Sequence, residues 1–453
     1  MTTSVDPLAA FIEAACVPLD SGHATGTLEG AAVILAAHPE VATQDIHAAA
    51  ILGDDTAVRR FLTLDPTTAT AKGGPRGWDA LTHLCFSRYL RLDRARSASF
   101  VHAAQALLDA GARADTGFYE PSNQPQPAFE SVLYGAAGVA HHAELTRLLL
   151  ARGADPNDGE VVYHSPESGD NAVVKLLVET GQLTAESLSL MLVRKHDWHD
   201  YDGVKFLLEH GADPNRKRTG CFRAMHHAIA RDNALEIIAL LLDHGADPTL
   251  REEGTSAVAM AARRGRADLL ALFERRGVPI ELRGVDRLIA ACARNDGAAV
   301  RASADSDPTL VHQVRAQGGE LLALFAGVGN SDGVGQLLEL GIAVDTLYRT
   351  GDGYFDIAKD SMALHVAAWR AQHATVRFLI ERGAPVDAAD GQGRTPLALA
   401  VRACVDSYWS DRRSPESVAM LLGAGASPTG VAFPSGYAEV DALLRPQGRD
   451  VRP

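Results

Sequence analysis

Residues Ser361–Asp387 read SMALHVAAWRAQHATVRFLIERGAPVD. A serine suited to capping a helix start opens the stretch, and the small residues Ala367 and Ala368 would let a neighbouring helix come close. A polar turn from Arg370 to His373 leads into a second helix, FLIERG, which stops at Gly383. RTPLALAV at Arg394–Val401 repeats the opening more cleanly, with Thr395 as cap and Pro396 in the first helical position. The stretch therefore predicts two short antiparallel helices that cannot bury their apolar faces alone.

The second half of this unit recurs along the chain. It appears as LLDAGARAD (ending at Asp115), LLLARGADPN (Asn157), FLLEHGADPN (Asn215), LLLDHGADPT (Thr249), LFERRGVPI (Ile280), LLELGIAVD (Asp345), FLIERGAPVD (Asp387) and LLGAGASPT (Thr429). In the second of these, Leu148, Leu149 and Leu150 supply an apolar stripe. Gly153 follows the last turn, where a left-handed residue is needed. Pro156 blocks continuation of the helix, and Asp155 and Asn157 suit a turn. With a weaker copy, LLVETGQLT (ending at Thr184), the marker glycines recur roughly every 30 to 40 residues, with one double gap that holds a degenerate copy, VRASADSDPTL.

This order of elements resembles the ankyrin repeat, TPLH…AA…GH…LL…GADPN, of the bacterial multi-repeat type, over roughly residues 40 to 430. The resemblance implies an all-α solenoid of about eleven or twelve helix–turn–helix repeats carrying short β-hairpin fingers. The organisation read from it is divergent repeats or a cap over 1–65, repeats with irregular insertions over 66–283, a degenerate repeat at 284–310, repeats over 311–434, and a cap and tail at 435–453. It also implies that fingers and the exposed positions of each first helix contact the ligand.

Composition narrows the function. Forty-three basic against 57 acidic side chains give a net charge of −14, which argues against nucleic acid as a partner. The stretch Arg88, Arg91, Arg94, Arg96 reads as a solvated helix face. The five cysteines, Cys16, Cys85, Cys221, Cys292 and Cys404, are widely spaced without a CxxC pair, so reduced thiols in a cytoplasm are expected, with Cys85 and Cys292 as small buried residues. The opening MTTSVDPLAAFIEAA lacks a basic and a long apolar segment, so no signal peptide is expected, and no apolar run is long enough for a membrane. A monomer without metal or cofactor is expected.

Departures from the repeat pattern mark candidate sites. In Lys72–Asp93, Trp78 is placed on the finger, and His83, Arg88 and Tyr89 on less buried positions. Thr116–Glu130 is an elongated finger with Phe118, Tyr119 and Phe129. In Asp158–Asp170 a first helix is expected to give way to an irregular segment with Glu160, Tyr163, His164 and Glu167. Leu192–Gly203 inserts about three residues in a turn and gathers His196, Asp197, Trp198, His199, Asp200 and Tyr201. Thr346–Asp360 is a further aromatic finger and Cys404–Glu416 an inserted turn. His226 and His365 occupy the TPLH histidine and His141 the turn histidine, whereas His142 and His227 are extra.

Two functions stay open. The first is a protein or peptide partner bound along a concave groove. The second is a small molecule held, or transformed, in an acid/base pocket formed by the irregular repeats between Trp78 and Tyr201. For the second, the catalytic candidates are His164, His196, Asp197, His199 and Asp200, and a pocket uniting His83, His164 and His199 is the expected sign. No Walker, GxSxG, HExxH or Rossmann signature is present.

Overall fold

A computed structural model describes residues 6–20, 22–120, 126–217 and 222–445. Cys221, the tip of the 116–130 finger and the end of the tail lie outside the described residues. The chain divides into two compact units, Met1–Ala246 and Asp247–Pro453.

In the first unit, paired helices follow one another: Ile46–Ile51 with Asp55–Leu64, Ala80–Cys85 with Ser97–Asp109, Gly159–His164 with Ala172–Glu179, Ala185–Lys195 with Tyr201–Glu209, and Ala224–Ala230 with Leu235–Asp243. The second unit continues with Ala257–Arg263 and Ala267–Arg275, then Gly284–Ala293 and Gly297–Ser306, Gly318–Gly327 and Ser331–Glu339, Ala363–Trp369 and His373–Glu381, and Pro396–Asp406 and Glu416–Gly423. Among the described residues the strands form two short antiparallel hairpins, Gly117–Glu120 with Ala128–Ser131 and Arg251–Glu252 with Thr255–Ser256.

The recurring phrase folds as its chemistry requires. After Ala143–Ala151, the Ala154 N–H bonds the Leu149 carbonyl and the Gly153 N–H that of Leu150, both at 3.1 Å, a Schellman closure with Gly153 at φ +90°. The same pair of bonds recurs at Gly245 and Gly383. The leucine pair thus does two jobs. Its side chains fill the core, with Leu149, Leu241 and Leu379 fully buried, and its carbonyls receive the turn.

A second left-handed position lies between the helices of a pair. His141, His199, Asp232, Asn295 and Ala371 all have φ between +47° and +56° there. Asp45, Asp79, Ser131, Asp158, Thr184, Ser256 and Thr395 cap first helices through their side chains. Ser361 departs from expectation. Met362 takes the cap position, its N–H donating to His365 Nδ1 at 3.1 Å, while Ser361 donates to the Ala358 carbonyl.

Three readings of the sequence are corrected. The segment after Asp158 is not irregular from its start: Asp158 caps the short helix Gly159–His164 before the chain turns. In the degenerate repeat, the helix Pro308–Ala316, capped by Asp307, stands where other repeats carry a finger. The arginines 88–96 are only in part a solvated face: Arg94 and Arg96 are exposed and Arg88 and Arg91 half-buried, and all four are engaged. Arg88 donates to the Ala14 carbonyl, Arg91 to Thr25 and Gly26, Arg94 to Ala140 and Arg96 to Leu52. They satisfy backbone acceptors of neighbouring elements that would otherwise lack partners. Cys85 and Cys292 are buried, as their slots imply.

Candidate functional site

The irregular repeats of the first unit build two adjoining features, an ion-pair network and an acidic cavity. The network starts at His164, at the end of its short helix. Its Nδ1 lies 3.0 Å from Glu167 and its Nε2 3.3 Å from Glu160. Burial alone would discharge this imidazole, but the two carboxylates outweigh burial and hold its pKa up at about 9. Arg194 bonds both Glu167 and Asp197, and its guanidinium lies over the Tyr163 ring at 4.0 Å and near that of Trp198 at 5.6 Å. Asp197 further accepts from His227 Nε2 at 2.8 Å and Arg231 Nε at 2.6 Å. Burial works to raise its pKa, but the His227 and Arg231 bonds and the Arg194 charge bring it down to about 2.

The inserted turn that presents Asp197 is the 3₁₀ helix His196–Trp198, closed by the left-handed His199. Asp200 caps the next helix, accepting from the Gly203 N–H, and bonds the buried Lys195 ammonium at 2.8 Å and Asn171 at 2.8 Å. His196 is fully buried, and burial with the nearby His227 holds it neutral, down to about 3. The five catalytic candidates therefore take separate roles. Asp197 is an ion-pair centre, Asp200 a cap, His199 a turn residue and His196 a core residue, and His164 lines the acidic cavity.

That cavity, of about 280 Å³, is walled by the Gly22–Ala24 loop, the Gly117–Ser131 hairpin, the turn after it and the Gly159–His164 helix. Hairpin register explains its chemistry. Phe118 pairs with Glu130 and both are buried, while Tyr119 pairs with Phe129 and both are exposed. Glu130 is 2% exposed and its Oε2 has no hydrogen-bond partner. Burial, then the charges of Glu160, Glu120 and Asp158, push its pKa up to about 8. Tyr134 Oη and His23 Nδ1 are hydrogen-bonded at 3.1 Å, and His23 Nε2 stands 3.7 Å from Glu120. The chain after Tyr134 makes a π-helical turn, Gly135–Val139. A Cβ on Gly138 would meet the Tyr134 ring at 2.7 Å and His164 Cβ at 2.9 Å, so glycine permits that close approach.

The cavity wall includes His164, Glu160 and Glu167, but neither His83 nor His199. His83 and Tyr89 are buried, not partly exposed. His83 packs on His47 and on Trp78, and burial with the His47 charge lowers its pKa to about 3. Trp78 is also buried, stacked on Phe118 at 4.3 Å. Arg88 is half-buried. His142 caps the helix Ala143–Ala151 and bonds Ser97 at 2.6 Å. His226 is buried, and His365 bonds the Ala388 carbonyl.

Trp198 and Tyr201 are partly exposed at the turn. The sequence reading missed His23, Glu120, Glu130, Tyr134 and Arg194. A period-two reading of the hairpin would have turned Glu130 inward with Phe118; nothing local marks His23. Among the described residues no group of three or more His, Cys, Asp or Glu side chains is placed to hold a metal ion. No described helix is long and apolar enough to cross a membrane.

A family model described as Ankyrin repeats (3 copies) matches residues 190–283, and one described as Ankyrin repeat matches residues 361–391. Over these two stretches the chain carries ankyrin repeats. The cavity-lining residues lie outside both stretches. No curated protein matches the chain.

Proposed function

We propose that this ankyrin protein, an array of about a dozen repeats, binds a polypeptide partner through its irregular repeats. Ankyrin repeats as a class mediate protein–protein interaction. The observation that carries the reading is the exposed aromatic surface of the first unit. Tyr119 (68% exposed) and Phe129 pack together on the outer face of the hairpin, and Tyr163 and Trp198 flank Arg194. Aromatic side chains and arginine are the residues that dominate binding energy at protein interfaces. Ion pairs already fix Arg194 from behind, so a partner meets a preorganised surface and loses less entropy on docking. The buried, free thiols of Cys16, Cys85, Cys292 and Cys404 suit a reducing cytoplasm.

The test is affinity capture from the native cytoplasm with the wild-type chain and with a Tyr119→Ala, Tyr163→Ala, Trp198→Ala triple variant. Tyr119 is mostly exposed and Tyr163 and Trp198 are partly so, and an unchanged circular dichroism spectrum checks that the variant folds. A stoichiometric partner retained by the wild type and lost by the variant supports the reading. Equal capture, or none by either, overturns it.

A further inference from the structure

The geometry points to a second, small-molecule site that goes beyond partner binding: the cavity under the Gly117–Ser131 hairpin takes a small organic cation bearing a primary ammonium group, with Glu130 as its counter-ion. A buried carboxyl oxygen without a hydrogen-bond partner is costly in a folded protein, and selection has little reason to keep one that serves only packing. Glu130 Oε2 is such an atom, and it faces the cavity.

The surroundings decide the sign of the ligand. Glu120, Glu160 and Glu167 line the same space, against one imidazolium, His164, whose charge Glu160 and Glu167 share. His23 does not add a positive charge, because burial lowers its pKa. The carboxylates outnumber the His164 imidazolium on this wall, so the net field repels an anion and attracts a cation.

The placement of the acceptors decides the type of cation. Metal ions need several converging oxygen or nitrogen ligands, and among the described residues no three His, Cys, Asp or Glu side chains are placed to hold one. An ammonium group instead presents three N–H donors in different directions. It can meet Glu130 Oε2 and other acceptors of the wall one at a time. The rings of Tyr134 and His23 offer a flat surface to the rest of the molecule and can also face the cation. At about 280 Å³ the space is at the small end of ligand sites, which run from roughly 300 to 1,000 Å³.

Binding has a proton signature. The groups facing Glu130 are Glu120 from the opposite strand, Asp158 and Glu160 from the next repeat, and His164 and His23 across the cavity. Together with burial, the three carboxylates keep Glu130 protonated at neutral pH. An arriving ammonium reverses that balance, so Glu130 releases its proton to solvent and the N–H···carboxylate pair forms.

The experiment is isothermal titration of the full chain at pH 7 with butylamine, tyramine and putrescine. The controls are 4-hydroxyphenethyl alcohol and 3-(4-hydroxyphenyl)propionate, which keep the shape of tyramine without its charge. At least one amine should bind, its neutral and anionic counterparts should not, and Glu130→Gln should weaken binding about tenfold or more. Titrations in two buffers of different ionisation enthalpy should show close to one proton released per amine bound, declining above pH 8. This readout uses the wild-type chain and so does not depend on the variant folding. Failure of all three amines to bind at millimolar concentration would overturn the proposal. So would equal binding of the alcohol, affinity untouched by Glu130→Gln, or binding without proton release.

Discussion

Replacing Glu130 with glutamine should make this protein more stable, and the gain should depend on pH in a way the structure specifies. Glu130 has an ordinary carboxyl pKa of 4.5 in an open chain and about 8 when folded. Because the folded-state value is the higher one, folding takes up a proton between those limits. The stability carried by the neutral acid is intact below pH 4.5 and is lost as pH rises through 8. Each unit is worth about 1.36 kcal/mol, so at pH 7 the wild type has lost roughly 3 kcal/mol that glutamine, which does not titrate, retains. Glutamine leaves its own amide incompletely bonded, an offset of about 1–3 kcal/mol that does not vary with pH.

The test is therefore the slope. Urea unfolding of both proteins, followed by Trp78 fluorescence, reports on this hairpin because Trp78 stacks on Phe118, the register partner of Glu130. The stability difference in favour of Glu130→Gln should grow by roughly 1 kcal/mol per pH unit from pH 5 to 8 and then level off. A difference that stays flat with pH would refute the reasoning, because it would mean that Glu130 ionises inside the fold as it does in water.

Asp197→Asn should destabilise the first unit by about 2–3 kcal/mol at pH 7. The depressed carboxylate contributes stability that is present above pH 3.8 and lost as pH falls towards 2, so the variant's deficit should shrink over that range in acid titrations of stability. Leu241→Ala removes a fully buried side chain and should cost about 2–5 kcal/mol, read from the urea midpoint. Gly153→Ala meets no atom within 4 Å yet must hold φ +90°, so it should cost about 1–2 kcal/mol from backbone strain alone, measured by thermal melts against a silent surface variant.

Much of the architecture was legible because the repeat writes its stop signals locally. A leucine pair followed by a left-handed glycine closes the same Schellman bonds wherever it occurs, as Gly153, Gly245 and Gly383 demonstrate. The site was legible only in part. His164, Glu160 and Glu167 sit within one helix and its turn, so their proximity follows from helical spacing. His83 and Tyr89 were misjudged, since His83 is covered by His47 and Trp78 and the Tyr89 ring by Arg96, contacts that no local pattern announces.

The sequence by itself determined the helix-ending turns, most of the caps and the set of buried leucines, because each depends on interactions spanning three to five residues. Tertiary structure alone decided which side chains meet. His23 reaches Tyr134 across 111 positions, Arg88 finds the Ala14 carbonyl across 74, and Asp197 gathers His227 and Arg231 from the following repeat. Only stacking brings such groups together and strips them of water. Burial and charge then act on them jointly, and this sets Glu130 neutral, His164 charged and Asp197 at the centre of a network.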